Sequence, residues 1–417
     1  MRSWYRNLDL PALCAWIGLC SCGLVAIYSS THGEAQEFLL NTVQDSFQRQ
    51  ILWLIISSVA LAIVLTIPLE WLVRFSPLVY AITIGLLIAA LIFGREVSGA
   101  RSWVYLGPLS IQSSELAKVG AILMASYLFT LRFRNNPVVF GTLIAATLLL
   151  PASLIILQND LGTALVFFGM LPILWLCTGV PLRVVGLVIL FPITGYLAVI
   201  SWQIAVGFTI AVGVIALFGT RSYKWMTAGV MACALTIGTA TFALNYVLQP
   251  HQVARIVSFS NPEADEFRAG VGFHLVQSKA ALGSGGLWGH GFQQGSQTQG
   301  RYIPEQSTDF VFSVVGEEWG FVGSVVVLLL FATLMLRLIR LVKFIDHPFG
   351  ICLIFGAVGI FMIHVCVNLG MVLGLLPVIG IPLPFLSYGG SALLTNTLIL
   401  GLALSVYMRR AEFSLYV

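Results

Sequence analysis

Charge is what this chain has least of. Only 9% of its 417 residues are Asp, Glu, Lys or Arg, against 58% hydrophobic, where soluble domains carry roughly 25% charged residues. That excludes an ordinary soluble enzyme, and a net charge of +4 leaves no basic field for nucleic acid. Disulfides are lacking as well. The seven cysteines (Cys14, Cys20, Cys22, Cys177, Cys233, Cys352 and Cys366) are odd in number and all lie in apolar segments, so they read as small core hydrophobes. No His/Cys/Asp grouping has metal-ligand spacing. The run Gly283-Ser284-Gly285-Gly286 with Gly289 and Gly291 is no nucleotide loop, because the dinucleotide spacing fails at Trp288 and no Walker lysine follows. It reads as a flexible re-entrant turn whose bare amides can approach a phosphate or a sugar.

What is present is a series of apolar stretches long enough to cross a bilayer. They fall at about 10–30, 51–73, 77–94, 118–133, 138–157, 162–179, 183–200, 203–219, 225–248, 309–336, 350–375 and 383–408. The pattern predicts an all-α, polytopic transmembrane bundle of 10 to 12 spans forming one domain over 1–417. The pair around Trp202 is the least separated. Arg2 and Arg6 resemble a signal-peptide flank, but no small-residue cleavage site follows, so 10–30 reads as an uncleaved first span.

With the N-terminus inside, thirteen of the 21 basic residues fall on the inner side, among them Arg74, Arg183, Arg337 and Arg409. The positive-inside rule then makes both termini cytoplasmic and the polar 249–308 loop extracytoplasmic. The islands at 95–118 and 158–164 share the outer side. So does 376–391, where Pro377, Pro382, Pro384, Gly389 and Gly390 break any helix. Broken backbone at membrane depth must be buried in protein or line a wet cavity, so four irregular segments on one face predict a single outward-facing site. Within the long loop, Glu263, Asp265 and Glu266 accompany Arg255, Arg268 and Lys279, a mixture suited to acid/base work on an anionic substrate.

These islands resemble the SEDS family of peptidoglycan polymerases. The resemblance is carried by Gly99-Ala100-Arg101-Ser102-Trp103, Gln112-Ser113-Ser114-Glu115 with Ala117-Lys118, and Asp160-Leu161-Gly162-Thr163-Ala164. It continues through Gly272-Phe273-His274, Pro304-Glu305-Gln306-Ser307-Thr308-Asp309-Phe310 and Gly316-Glu317-Glu318-Trp319-Gly320. Asn368-Leu369-Gly370-Met371 and the 382–391 segment complete it. The short lead before the first span is more like the elongation, cell-shape branch than the division branch. Ser113 and Asn159 stand where members commonly have Pro, and the apolar length around 200–224 exceeds a family pattern of ten spans.

The resemblance implies a glycosyltransferase of the bacterial inner membrane that joins lipid II to a growing glycan strand, partnered by a class B penicillin-binding transpeptidase and surrounded by membrane lipids. It places the family's essential loop aspartate at Asp265. Polymerisation needs a sugar hydroxyl deprotonated as it attacks the anomeric carbon, and a carboxylate serves as general base; the bland alternative is a solvated carboxylate or helix cap. Arg101 and Lys118 are expected to bind the diphosphate, Arg as a fork and Lys as a point charge. Glu115, three residues before Lys118, pairs with it or lines the site. Asp160 is either an N-cap or a cavity residue. His274, Gln277 and Ser278 share a helical face that lines the site or merely packs, with Lys279 beside them, and His364 reads as a satisfied core histidine. No residue set marks a metal, although a diphosphate could bring Mg²⁺ or Mn²⁺ with it. A different class also fits a many-span bundle: a lipid II flippase, which would need essential polar groups deep in the spans.

Overall fold

The computed structural model describes residues 8–32, 45–97, 99–106, 109–131, 136–247, 253, 271–300, 302–303 and 305–410. Asp265, Glu263, Glu266, Arg255, Arg268 and Arg301 lie outside them. The first helices are α1 (Leu10–Thr31), α2 (Ser46–Thr66) and α3 (Leu69–Phe93), followed by strands β1 (Arg95–Val97), β2 (Ala100–Leu106) and β3 (Leu109–Gln112). Then come α4 (Ser113–Leu128), α5 (Pro137–Leu157), α6 (Leu161–Thr178), α7 (Leu182–Ile200), α8 (Trp202–Thr220) and α9 (Tyr223–Phe242). After the long loop stand α10 (Val271–Ser284), the one-turn α11 (Ser296–Gln299), α12 (Val311–Glu318), α13 (Gly320–Val342), α14 (Pro348–Val372) and α15 (Gly390–Met408). Eleven of the described helices are long and apolar enough to cross a membrane. The predicted twelfth, 118–133, corresponds to α4, which starts five residues earlier and carries a charged pair inside.

Three expectations change. The predicted span 309–336 is two helices, because Gly320 has φ +67° and a side chain there would overlap the Gly289 amide. The predicted 383–408 begins only at Gly390. The island at 95–118, expected to be irregular, forms an antiparallel three-stranded sheet up to Gln112, Arg95 opposite Trp103 and Trp103 opposite Gln112, and then starts α4. The least separated pair, 183–200 and 203–219, stands as separate helices, α7 and α8.

Caps set several helix starts. Asp9 accepts from Ala12 N at 2.9 Å with Pro11 in the first turn of α1, and Asn136 accepts from Val138 N and Val139 N ahead of Pro137; both use the side-chain oxygen that orphan amides need. Inside α5, Pro151 cannot donate to the carbonyl four residues back. Tyr80 of α3 supplies the missing donor, its hydroxyl lying 3.0 Å from Thr147 O.

The same accounting holds the irregular segment 376–389 at the end of the bundle. Asn368 of α14 donates to Ile381 O at 2.8 Å and Asp309 O at 2.9 Å. Gln50 of α2 donates to Ser387 O and accepts from Gly389 N, both 3.2 Å. Tyr388 N bonds Ser307 O. Helix-broken backbone survives at such depth because protein groups replace the missing bonds. The core therefore lies along α14 and α15, where 78% and 83% of the apolar window is buried.

Candidate functional site

The four irregular segments meet at one face of the bundle. Arg101 N bonds Gln158 O at 2.9 Å, joining the sheet to the α5–α6 turn. Gly162, in the first turn of α6, approaches Ile379 O so closely that a side chain would press on it. Gln306 donates to Ser30 O of α1 at 3.1 Å, and Ser307 holds Tyr388.

Asp160 is a heavily bonded carboxylate. Its Oδ2 accepts from Gln112 Nε2 at 2.8 Å, Ser114 Oγ at 2.8 Å and Thr163 Oγ1 at 3.0 Å, while Oδ1 accepts from Thr163 N at 3.1 Å. In this structure it acts as an N-cap that also fastens β3 and α4 to α6. The preceding turn departs from the family's common Pro: Asn159 has φ +61°, which a pyrrolidine ring cannot adopt.

Glu115 and Lys118 do pair, as their spacing predicts, at 2.8 Å. The pair is enclosed, Lys118 being 0% exposed. A third member joins that sequence reading left as a core histidine: His364 Nε2 lies 3.0 Å from Lys118 Nζ and His364 Nδ1 lies 3.0 Å from Pro382 O. An ammonium only donates and a carbonyl only accepts, so His364 carries its proton on Nδ1 and accepts on Nε2. Among the described residues, Glu115 Oε2 meets no hydrogen-bond partner. Arg101 is placed elsewhere, on the exposed face of the sheet, 3.5 Å from Glu96. The two cations expected to share a diphosphate are thus differently disposed: Arg101 is open to solvent and Lys118 is not.

On α10, Ser278 is fully buried, bonded to Ser313 Oγ at 2.8 Å and Val372 O at 2.9 Å. It packs α10 against α12 and α14 and does not line an opening. His274 is half-buried and stacks on Phe310, centroids 6.4 Å apart. Gln277 is half-buried and Lys279 exposed; the Lys279 stem lies where a side chain on Gly374 would be, and Gly374 has φ +69°.

Sequence reading assigned no role to Glu317 and Glu318, although two adjacent acids in so uncharged a chain were a signal. Glu317, fully buried, accepts from Gln297 N (2.7 Å), Thr298 N (2.8 Å) and Thr298 Oγ1 (2.6 Å), fixing α11. Glu318 accepts from Ser29 Oγ at 2.5 Å and Gln299 Nε2 at 3.2 Å. Burial pushes its carboxyl above the usual carboxylate range, against the opposing pull of those bonds. Around them, 283–291 and 316–320 interlock backbone to backbone. His290 N bonds Glu317 O, Gly291 N bonds Glu318 O, and Phe321 N bonds Gly286 O; side chains at Gly285 or Gly289 would overlap the carbonyls of Gly316 or Glu318. The glycine run, read as a flexible turn, is fastened here by backbone bonds and close backbone contacts. Among the described residues, no three His, Cys, Asp or Glu are disposed to hold a metal ion.

The family model named for FtsW, RodA and SpoVE, described as a cell cycle protein, matches residues 11–211 and 202–412. The chain is 33% identical to the peptidoglycan glycosyltransferase RodA of Treponema pallidum, covering 97% of this chain and 98% of that one. It is 33% identical to the peptidoglycan glycosyltransferase MrdB of Escherichia coli strain K12 over 82% and 80% of the two chains. Among solved structures, a chain from a peptidoglycan synthase complex that coordinates polymerization and crosslinking superposes with a TM-score of 0.73 at 27% identity, covering 97% and 99%. The crystal structure of Thermus thermophilus rod shape determining protein RodA superposes with a TM-score of 0.62 at 26% identity, covering 97% of each. With the family model spanning nearly its whole length, this multi-pass membrane protein belongs to the FtsW/RodA/SpoVE family.

Proposed function

We propose that the chain is a peptidoglycan glycosyltransferase that polymerises lipid II into β-1,4 glycan strands for cell-wall elongation. The observation that carries the reading is the convergence of four polar segments, each on a family motif, at one end of an otherwise apolar bundle. The growing strand on its undecaprenyl diphosphate is the donor, and the incoming lipid II supplies the 4-hydroxyl. One displacement with inversion needs one base, and Asp265 takes that role. Arg101, exposed on the sheet, is suited to the diphosphate, since a guanidinium fork neutralises two oxygens at once. Any Mg²⁺ or Mn²⁺ arrives with that diphosphate. The enclosed Glu115–Lys118–His364 cluster and the Asp160 cap support the site by holding its walls.

The charge asymmetry of the loops favours cytoplasmic termini in the bacterial inner membrane, with the reacting face outside. Similarity to a chain of a synthase complex that couples polymerization to crosslinking supports a class B penicillin-binding protein as partner. The flippase reading has one observation in its favour, the charged cluster inside the bundle.

The deciding experiment mixes purified protein with labelled lipid II, with and without the transpeptidase. Glycan ladders are expected, and Asp265→Asn is expected to insert normally yet lose about 10²–10⁴ in rate. Near-parental polymerisation by that variant would remove Asp265 as the base. Transbilayer movement of lipid II with no polymer would replace the reading by transport.

A further inference from the structure

At the end of α1, aromatic rings from three parts of the chain gather. Tyr28 stacks on His32 with centroids 4.4 Å apart and planes 7° from parallel, and Phe292 stacks on Tyr28 at 6.2 Å and 13°. Phe47, in the first turn of α2, meets Tyr28 and His32 edge-on at 5.0 and 5.6 Å. The cluster is not sealed: Phe292 is 47% exposed and Tyr28 36%.

Carboxamides rim it. Gln293 sits at φ +58°, a left-handed conformation costly for a residue with a side chain, and it donates to His32 O at 3.0 Å. Gln294 is exposed next to it. From Leu282 to Gly300 there is no Asp, Glu, Lys or Arg.

That chemistry selects a ligand class. With no fixed charge on 282–300, and with Arg49 beside Phe47 already paired to Asp45 at 3.6 Å, this surface is poorly suited to a diphosphate. Carboxamides both donate and accept, which an acyl chain cannot use and vicinal hydroxyls and acetamido groups can. Stacked ring faces match the C–H face of a pyranose. Bilayer-interface anchors, by contrast, rely on Trp and Tyr with flanking Lys or Arg. The lock between 283–291 and 316–320 holds the segment in place, so little ordering is lost on binding.

We propose that Phe292, Tyr28 and His32, with Gln293 and Gln294, form a saccharide-binding platform for the N-acetylated, β-1,4-linked strand, apart from the groups suited to its diphosphate. The assignment of that ligand rests on the polymerase reading above.

The test uses the full chain in nanodiscs and tetra-N-acetylchitotetraose as probe, observed by saturation-transfer NMR, with maltotetraose as the control. Chitotetraose should receive saturation and maltotetraose at least threefold less. Phe292→Ala should lower the chitotetraose signal at least threefold, Phe292→Tyr should restore it, and Asp265→Asn should leave it in place. In the lipid II reaction, Phe292→Ala should shorten the glycan ladder. Equal saturation of wild type and Phe292→Ala, or no saturation of wild type, overturns the platform, as does loss of nanodisc insertion as the only effect of Phe292→Ala. If wild type binds chitotetraose yet makes no glycan, the polymerase reading falls and the platform stands.

Discussion

Helices α14 and α15 and helices α7 to α9 are both apolar enough to span a bilayer, yet they live in different surroundings. The first pair is mostly enclosed; only 11% to 17% of the apolar window of each of the other three is buried. Apolar side chains do not separate the two groups, because lipid tails are as apolar as Leu and give no reason to prefer protein. Polar ones do. His364 and Asn368 on α14 are buried and close backbone gaps, whereas the buried side chains of Thr395, Asn396 and Thr397 on α15 meet no hydrogen-bond partner among the described residues. In α7–α9 a buried polar contact between helices is Thr194 Oγ1 on Cys233 Sγ at 3.4 Å. Helix α14 is held at the centre by the broken backbone it hydrogen-bonds.

That contrast can be broken or sharpened by substitution, read as unfolding midpoints in detergent. The largest effect is expected at Lys118→Met, which strands Glu115 and should cost about 3–5 kcal/mol; the double variant with Glu115→Gln should recover part of the loss. Next is Gly289→Ala, where the left-handed backbone alone costs about 1–3 kcal/mol and the added carbon meets Glu318 O. Faster proteolysis of 283–300 is its expected signature. Asn368→Leu leaves the carbonyls of Asp309 and Ile381 without that donor and should cost about 1–3 kcal/mol, whereas Thr194→Val in the peripheral layer should cost less than about 1 kcal/mol. Equal losses at the two sites would erase the distinction. Smallest is Ile215→Leu on exposed α8, within about 0.5 kcal/mol.

Glu318 gives a pH version of the same test. Its carboxyl is raised by burial, so folding penalises the charged form. Stability is fully present below the ordinary carboxylate pKa and declines as pH rises from there through the raised folded value. Glu318→Gln should flatten that decline in melts taken across pH 4 to 8.

The sequence made the spans legible because a bilayer demands long apolar runs, and it made the convergence of the polar islands legible through their shared sidedness. It missed the break at Gly320 because one span was run through Glu317 and Glu318, although those two acids interrupt the apolar stretch just before the positive-φ glycine. The partnership of Lys118 with His364 was hidden by their distance along the chain. The sheet at 95–112 was hidden for another reason: short strands in a polar island carry too little alternation to stand apart from a loop. The close docking of the 283–291 run was missed because glycine was taken for freedom where it serves close approach.

The proline in α5 and the broken 376–389 segment share a property that concerns time. The carbonyls of Thr147, Ile381, Pro382 and Ser387 are met by Tyr80, Asn368, His364 and Gln50. Each of those side chains is upstream of the backbone it serves. As the polypeptide emerges from the ribosome and enters the bilayer, every one of these four gaps arrives after its donor, so none of these carbonyls need wait in lipid for a partner still unsynthesised.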